Sequence, residues 1–388
     1  MTPHKQTVGI DALQFYTPPF AIDLKVLAEH RGVDPDKFQH GLGQEQMAVM
    51  PPDEDVVTMA ANAAEPLLEQ GDREKIRLLL FATESGVDQS KAAGLWVHHL
   101  LSLPSSCRVM EVKQACYSAT GALHLAASYL KEHPDEKVLL LASDNARYGL
   151  KSSGEPTQGC GAIAMLLSAS PRLFALDRHQ GVAASHVMDF WRPNYTSEAI
   201  VDGKYSTKVY LSTLIESFAD YSLRSTRGFS DHDRFCFHIP FTKMARKAYE
   251  RLAKHLQVPV EYEEHVAPGL LYSKKMGNAY TAALYVGLAS MLENDPSDLS
   301  GKRVGLFSYG SGAVGEFFSG IVQPSYRNVL SNTKHAELFE NRTPLSYKEY
   351  EEFFTYTLPS DGGDHRTPRT TPSRFRLVGV KDHERLYA

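Results

Sequence analysis

Lys113-Gln114-Ala115-Cys116-Tyr117-Ser118-Ala119-Thr120-Gly121 stands between two patterns of different period. Before it, Arg108-Val109-Met110-Glu111-Val112 reads as a buried strand. After it, Ala122, Leu125, Ala126 and Tyr129 recur at helical spacing, which predicts a helix from about Tyr117 to Lys131. A strand–turn–helix unit of this kind puts the Cys116 sulfur near a helix N-terminus, where unpaired amides and the dipole favour a thiolate. Ser118, Ala119 and Gly121 are small enough to let a substrate or another segment approach the helix start. A lone cysteine is more often a small buried hydrophobe, and that reading is kept for Cys107 and Cys236, which fall in or beside apolar runs. Cys160 reads as part of a glycine-rich turn.

Outward from this unit, short apolar runs alternate with helical periods, the pattern of an α/β fold. Leu78–Thr83, Val138–Ala142 and Ala162–Leu167 read as further buried strands. The order then repeats: a strand at Phe235–His238, helices over about Thr242–Leu256 and Ala279–Leu292, and strands at Val304–Ser308 and Val314–Ile321. Two local matches point to an internal duplication. Gly159–Ile163 resembles Gly310–Val314, and Ala127–Leu130 resembles Ala289–Leu292; the second match lays Cys116 on Asn278. The expected organisation is an N-terminal half over 1–170 carrying Glu84 and Cys116, and a C-terminal half over 171–388 carrying His238 and Asn278. The chain turns polar from about 326. There Tyr347–Tyr356 reads as a helix, Leu358–Thr371 as a loop, and Phe375–Val380 as a late edge strand.

The 388 residues carry a formal charge of −5, with 43% hydrophobic and 22% charged residues. No stretch is densely basic, so no nucleic-acid partner is expected. No apolar run approaches the roughly 20 residues of a membrane helix, and Met1–Gln6 lacks a charged-then-apolar leader pattern. The four cysteines form no CxxC pair and no His/Cys cluster has ligand spacing. They read as thiols of a cytoplasmic protein without a metal.

Two more residues share the placement of Cys116. His238, in Phe237-His238-Ile239-Pro240, ends a strand that Pro240 cannot continue. Glu84, in Thr83-Glu84-Ser85-Gly86, follows an apolar strand, where burial could make it a general base. Singly, each has a bland alternative: a structural histidine, and a solvated loop carboxylate. Together, Glu84, Cys116 and His238 lie at predicted strand ends, where α/β folds place their sites.

At these residues the chain resembles the hydroxymethylglutaryl-CoA synthase family, most of all its bacterial, mevalonate-route form. Eight words carry the resemblance in order: Gly41–Val49, Thr83–Ser85, Lys113–Tyr117, Gly154–Gly159, Asp189–Pro193, His238–Pro240, Gly277–Thr281 and Phe307–Gly312. The resemblance runs from Gly9 to about Tyr347 and departs at Cys160, where a smaller residue is expected. It implies a duplicated thiolase-type core in five layers, αβαβα, usually a homodimer. It also implies an acyltransferase that joins acetyl-CoA to acetoacetyl-CoA without cofactor or metal, releasing CoA and 3-hydroxy-3-methylglutaryl-CoA.

In that mechanism Cys116 takes the acetyl group as a thioester, and Glu84 removes a proton from the acetyl methyl. His238 polarises the acceptor ketone, and water frees the product. Backbone amides at Cys116 and in the Ser308–Gly312 turn are the candidates for stabilising the enolate, each such donor being worth about 3 kcal/mol. By the family pattern Tyr117, Asp144, Tyr148, Asp189, Asn278, Tyr280 and Ser308 line or brace the site. Asn278 would serve equally well as a helix N-cap. Lys243 is offered to a CoA phosphate, or is a solvated lysine; no GxxxxGK[ST] or GxGxxG loop is present. Three rivals stay open. A synthase III-type condensing enzyme would not need Glu84. A polyketide-pathway relative would act on carrier-protein-bound acyl groups. An inactive scaffold would have no reason to keep Glu84, Cys116 and His238.

Overall fold

The computed structural model describes residues 7–68 and 73–388; the Met1–Gln6 reading lies outside the described residues. The main sheet has ten strands: β1 Gly9–Tyr16, β2 Ile76–Ala82, β3 Arg108–Val112, β4 Lys137–Ala146, β5 Gly159–Ser168, β6 Phe174–Leu176, β7 Gly181–Ala184, β8 Arg234–Phe237, β9 Arg303–Gly310 and β10 Val314–Val322. Their order is β8-β9-β10-β6-β1-β5-β4-β2-β3, with β7 paired to β10. The core strands are nearly continuous apolar runs because helices cover both faces.

A repeat is visible in how the strands pair. β2 runs parallel to β4, which is antiparallel to β5, which is antiparallel to β1. β8 runs parallel to β9, which is antiparallel to β10, which is antiparallel to β6. The two sets meet where Gly9 faces Ala175 and Ile10 faces Phe174. A Cβ on Gly9 would come within 2.1 Å of the Phe174 carbonyl oxygen, so only glycine allows this join.

Six helices complete the five layers: α1 Val56–Leu68, α2 Ala93–Leu100, α3 Ser118–Glu132, α4 Gly203–Ser225, α5 Lys243–Leu256 and α6 Ala283–Asn294. α1 and α2 cover the outside of the first half-sheet, and α4 and α5 the outside of the second. α3 and α6 form the middle layer, tied by Thr120 Oγ1 to Tyr285 OH at 2.8 Å, and Thr120 Oγ1 also joins α3 to β9 through Ser308 Oγ at 2.8 Å. Ala127–Leu130 and Ala289–Leu292 occupy the same place in α3 and α6. The other match falls at equivalent points of the two halves, the entries to β5 and β10, although Gly159–Ile163 lies within β5 and Gly310–Val314 spans the β9–β10 turn.

Other expectations are corrected. β3 is a half-exposed edge strand rather than a buried one, with Met110 52% exposed, because only β2 pairs with it. Leu125 points to solvent, away from the buried Ala122 and Ala126. Cys160 lies in β5 and is fully buried, not in a turn. The tail helix α7 spans Tyr347–Thr355. The late strand, Leu377–Lys381, joins a separate three-stranded sheet with His365–Arg366 and Glu384–Tyr387. That sheet is pinned by the Leu377 amide on the Asp53 carbonyl, 2.7 Å, and by Tyr387 OH on Asp55, 2.7 Å. Among the described residues no helix is long and apolar enough to cross a membrane, and all four cysteines are free.

Candidate active site

Two strand ends and two helix starts, one of each from either half, converge on a cavity of about 200 Å³. β2 leads to Glu84 and β8 to His238, while Cys116 precedes α3 and Asn278 precedes α6. The turns before the two helices match: Ala115 has φ 44° and Gly277 φ 81°. Gly277 is required, since a Cβ there would lie 1.9 Å from the Gln158 carbonyl oxygen. Ala115 holds the left-handed conformation with a side chain, a strained state that aims Cys116 off the helix end.

The Cys116 thiol donates to Glu84 Oε1 at 3.0 Å, and the residue remains half-exposed. Glu84 is held from behind by Asp144, which accepts from the Glu84 amide and the Thr83 hydroxyl, both 2.9 Å, and from the Thr281 amide, 3.1 Å. Burial, with the Asp144 charge added, pushes Glu84 up to about 8; the Cys116 hydrogen bond and Arg192 act the other way. Burial raises Asp144 as well. The same burial, together with the Glu84 charge, drives the Cys116 thiol well above its ordinary value. This runs against the expected resting thiolate: burial first, then the two nearby carboxyl groups, outweigh the helix start and favour the protonated sulfur. Burial also lowers His238 to about 3, so its ring is neutral and has one N–H to donate.

Cys116, His238, Asn278, Tyr148 and Tyr280 all line the cavity. Asn278 lines the cavity but is not the N-cap of α6, a position held by Ala282. Its Oδ1 caps the Tyr280 amide at 2.8 Å, which leaves Nδ2 as the atom available to a ligand. The Tyr280 hydroxyl is buried without a hydrogen-bond partner among the described residues. The remaining candidates stand behind the wall. Tyr117 donates to Glu316 at 2.6 Å, and Ser308 bonds Thr120. Asp189 accepts from Tyr309 OH at 2.7 Å and the Gly312 amide at 2.9 Å, fixing the β9–β10 turn. That bond occupies Gly312, so it is not a free enolate donor. Lys243 donates to the His40 carbonyl at 2.9 Å in a neighbouring depression shared with Arg246 and Lys274.

Sequence reasoning left Arg192 and Phe190 without roles, although both lie in the quoted Asp189–Pro193 word. Arg192 donates to the Glu84 carbonyl, and the Phe190 ring meets Tyr148 and Tyr280 edge-on at 6.0 and 5.8 Å. A charged residue between aromatics and a proline was the available signal.

A duplicated five-layer core with a cysteine, a carboxyl group, a histidine and an asparagine drawn from both copies defines a thiolase-fold acyl-condensing enzyme. Residues 4–171 match the family described as hydroxymethylglutaryl-coenzyme A synthase N terminal, and residues 175–257 and 253–357 its C-terminal counterpart. The chain is 45% identical over 361 residues to a hydroxymethylglutaryl-CoA synthase of Enterococcus faecalis, covering 92% of this chain and 93% of that one. It is 33% identical over 373 residues to the polyketide biosynthesis 3-hydroxy-3-methylglutaryl-ACP synthase PksG of Bacillus subtilis, covering 90% and 88%. A solved HMG-CoA synthase complexed with CoA superposes with a TM-score of 0.94 at 41% identity, covering 98% of this chain and 99% of that chain. The chain belongs to the hydroxymethylglutaryl-CoA synthase family.

Proposed function

We infer that this chain condenses acetyl-CoA with acetoacetyl-CoA, by way of acetyl-Cys116, to give 3-hydroxy-3-methylglutaryl-CoA and CoA. The observation that carries the chemistry is the 3.0 Å contact between Glu84 Oε1 and the Sγ of Cys116, which lines a cavity together with His238 and Asn278.

The contact gives Glu84 two duties. As the sulfur attacks the acetyl carbonyl, Glu84 takes the thiol proton and passes it to the departing CoA sulfur. It then takes a proton from the acetyl methyl, and the enolate carbon attacks the ketone of acetoacetyl-CoA. The proton ends on the new hydroxyl oxygen. Neutral His238 donates its N–H to that oxygen as charge develops, Asn278 Nδ2 adds a second donor, and the Cys116 amide faces the enolate. Water then splits the thioester, returning a proton to the sulfur. A carboxyl group near 8 suits this traffic, since it binds and releases protons close to neutrality.

Tyr148 and Tyr280 shape the acyl cavity, while Tyr117, Asp144, Asp189 and Ser308 brace it. Lys243, with Arg246 and Lys274 in the adjoining depression, is the cationic group offered to CoA phosphates. CoA thioesters are substrates, and no cofactor enters this scheme. The working unit is read as two halves dividing near 170, paired with a second copy along β3, whose edge exposes Met110; Leu95 of α2 and Leu125 of α3 are exposed as well. Four free cysteines support a cytoplasmic setting.

The higher identity to the CoA-named relative than to the ACP-named one, 45% against 33%, favours free CoA thioesters. The test is turnover of acetyl-CoA and acetoacetyl-CoA with the product identified by mass. Product only from carrier-protein thioesters would move the chain to the polyketide branch.

A further inference from the structure

The C-terminal helix reaches the back of the active site through a short run of hydrogen bonds. Tyr350 of α7 is 2% exposed, and its hydroxyl donates to Glu155 Oε1 at 3.0 Å. The same hydroxyl accepts from Gln158 Nε2 at 3.1 Å. The other end of that amide, Gln158 Oε1, accepts the Tyr148 backbone N–H at 2.7 Å. Glu155 is fixed from its second side by Arg31, whose Nε and Nη2 lie 2.8 and 2.6 Å from its two oxygens. Arg31 also donates to Tyr347 OH at 2.7 Å, tying α7 to the same carboxylate.

The wall these bonds hold is the wall of the cavity. Gly154, Thr157 and Tyr148 line it from the inside. Thr157 accepts the Asn278 N–H on its carbonyl at 3.2 Å, and Gln158 packs against Gly277 too closely for a Cβ. Tyr350 therefore stands one side chain behind Tyr148 and one peptide behind Asn278. Gln158 is 4% exposed, so an amide deprived of its tyrosine partner keeps a poorly solvated donor and is no longer held in its rotamer. Rotation removes Oε1 from the Tyr148 amide.

We propose that Tyr350 is a positioning residue of this active site, acting through Gln158 and Glu155 to fix the backbone that carries Tyr148 and abuts Asn278. The proposal rests on the function read above for its kinetic readout, but not for its chemical one. A phenylalanine at 350 keeps the ring in its apolar setting among Ile22, Leu24 and Leu345 and removes only the hydroxyl.

The experiment compares the parent, Tyr350→Phe, Gln158→Leu and the double variant in three measurements. The first is kcat and KM for acetyl-CoA plus acetoacetyl-CoA. The second is the rate of Cys116 alkylation by iodoacetamide, which needs no substrate and so separates a failure of this proposal from a failure of the assigned reaction. The third is the thermal midpoint. Tyr350→Phe is expected to lose about tenfold in kcat with KM changed less than about twofold, because displacement of a cavity wall by a fraction of an ångström degrades alignment more than binding. Its alkylation rate should rise about threefold or more as the wall loosens. The double variant should lose less than the product of the two single losses, since the two changes share the Gln158 branch. Parent-like kcat and alkylation in Tyr350→Phe would overturn the proposal. So would losses in the two single variants that multiply in the double, or a fall in thermal midpoint that accounts for the whole loss of activity. If the parent makes no product, the alkylation rates alone decide.

Discussion

Glu84→Gln tests whether the active site stores an unfavourable ionisation. Glu84 sits at about 8 in the folded chain against 4.5 for an ordinary glutamate. Below 4.5 the carboxyl is protonated in both folded and unfolded chains and has no effect on stability. As pH rises from 4.5 toward 8 the unfolded chain releases the proton while the folded chain keeps it. Ionisation therefore favours unfolding, and the effect is complete only above 8. The gap corresponds to about 5 kcal/mol at full ionisation, an upper bound. Glutamine cannot ionise, but it forfeits the charge-assisted contact with Cys116 and the attraction of Arg192. Both are already contained in the value of about 8, so the discount from the upper bound comes from solvent screening of a partly exposed carboxyl, and the expected net gain is about 2 kcal/mol at pH 9. For a chain of this length that is a rise of about 2–3 °C in thermal midpoint.

The assay is thermal unfolding of parent and Glu84→Gln at several pH values from 5 to 9. The difference should be near zero at pH 5, grow with pH, and level off above 8. Condensation should fall by about a hundred- to ten-thousandfold. Acetylation of Cys116 should slow as well, because the thiol loses its proton acceptor. A stability difference that stays constant across the range would refute the reasoning, as would a variant less stable than the parent at pH 9.

Cys116→Ser should lose both acetylation and turnover, since a serine hydroxyl supplies no comparable anion; mass spectrometry after incubation with acetyl-CoA reads the first loss directly. Asp144→Asn removes the charge that helps raise Glu84 while keeping an oxygen for the Glu84 amide, so the acid limb of the kcat–pH profile should move to lower pH. An unmoved limb would mean that Asp144 does not act on Glu84. His238→Ala should lower kcat by about a hundredfold or more and leave that limb in place. Met110→Glu puts a charge on the open β3 edge and should give a monomer by light scattering; an unchanged mass would send the dimer contact elsewhere.

The strand-end placement of Glu84, Cys116 and His238 was legible because apolar runs stop abruptly before each of them. Their meeting was legible only through the duplication and the family words. The protonation state of the sulfur was not, because it depends on a carboxyl 32 positions away that folding brings within 3.0 Å. β3 looked buried because Val109, Met110 and Val112 read the same at an edge as at a centre; what differs is whether another strand follows. The match of Gly159–Ile163 to Gly310–Val314 marked the entries to counterpart strands but not their local shape, because glycine-alanine words recur in strands and turns alike, whereas the α3 and α6 words carry helical spacing. Tyr350 lay within a stretch read as a helix, but nothing in it pointed to this site, because its partners Glu155 and Gln158 are distant in sequence.

The matched turns at Ala115 and Gly277 bear on ancestry. Had the two halves remained separate identical polypeptides, rotational symmetry would have forced like to face like across the cavity: thiol opposite thiol, carboxyl opposite carboxyl. Joining them in one gene released that constraint. One copy could then hold the acid and the sulfur while the other mutated toward an imidazole and an amide. The reaction needs such unlike groups on opposing sides, one to pull a proton away and one to hold the charge that results.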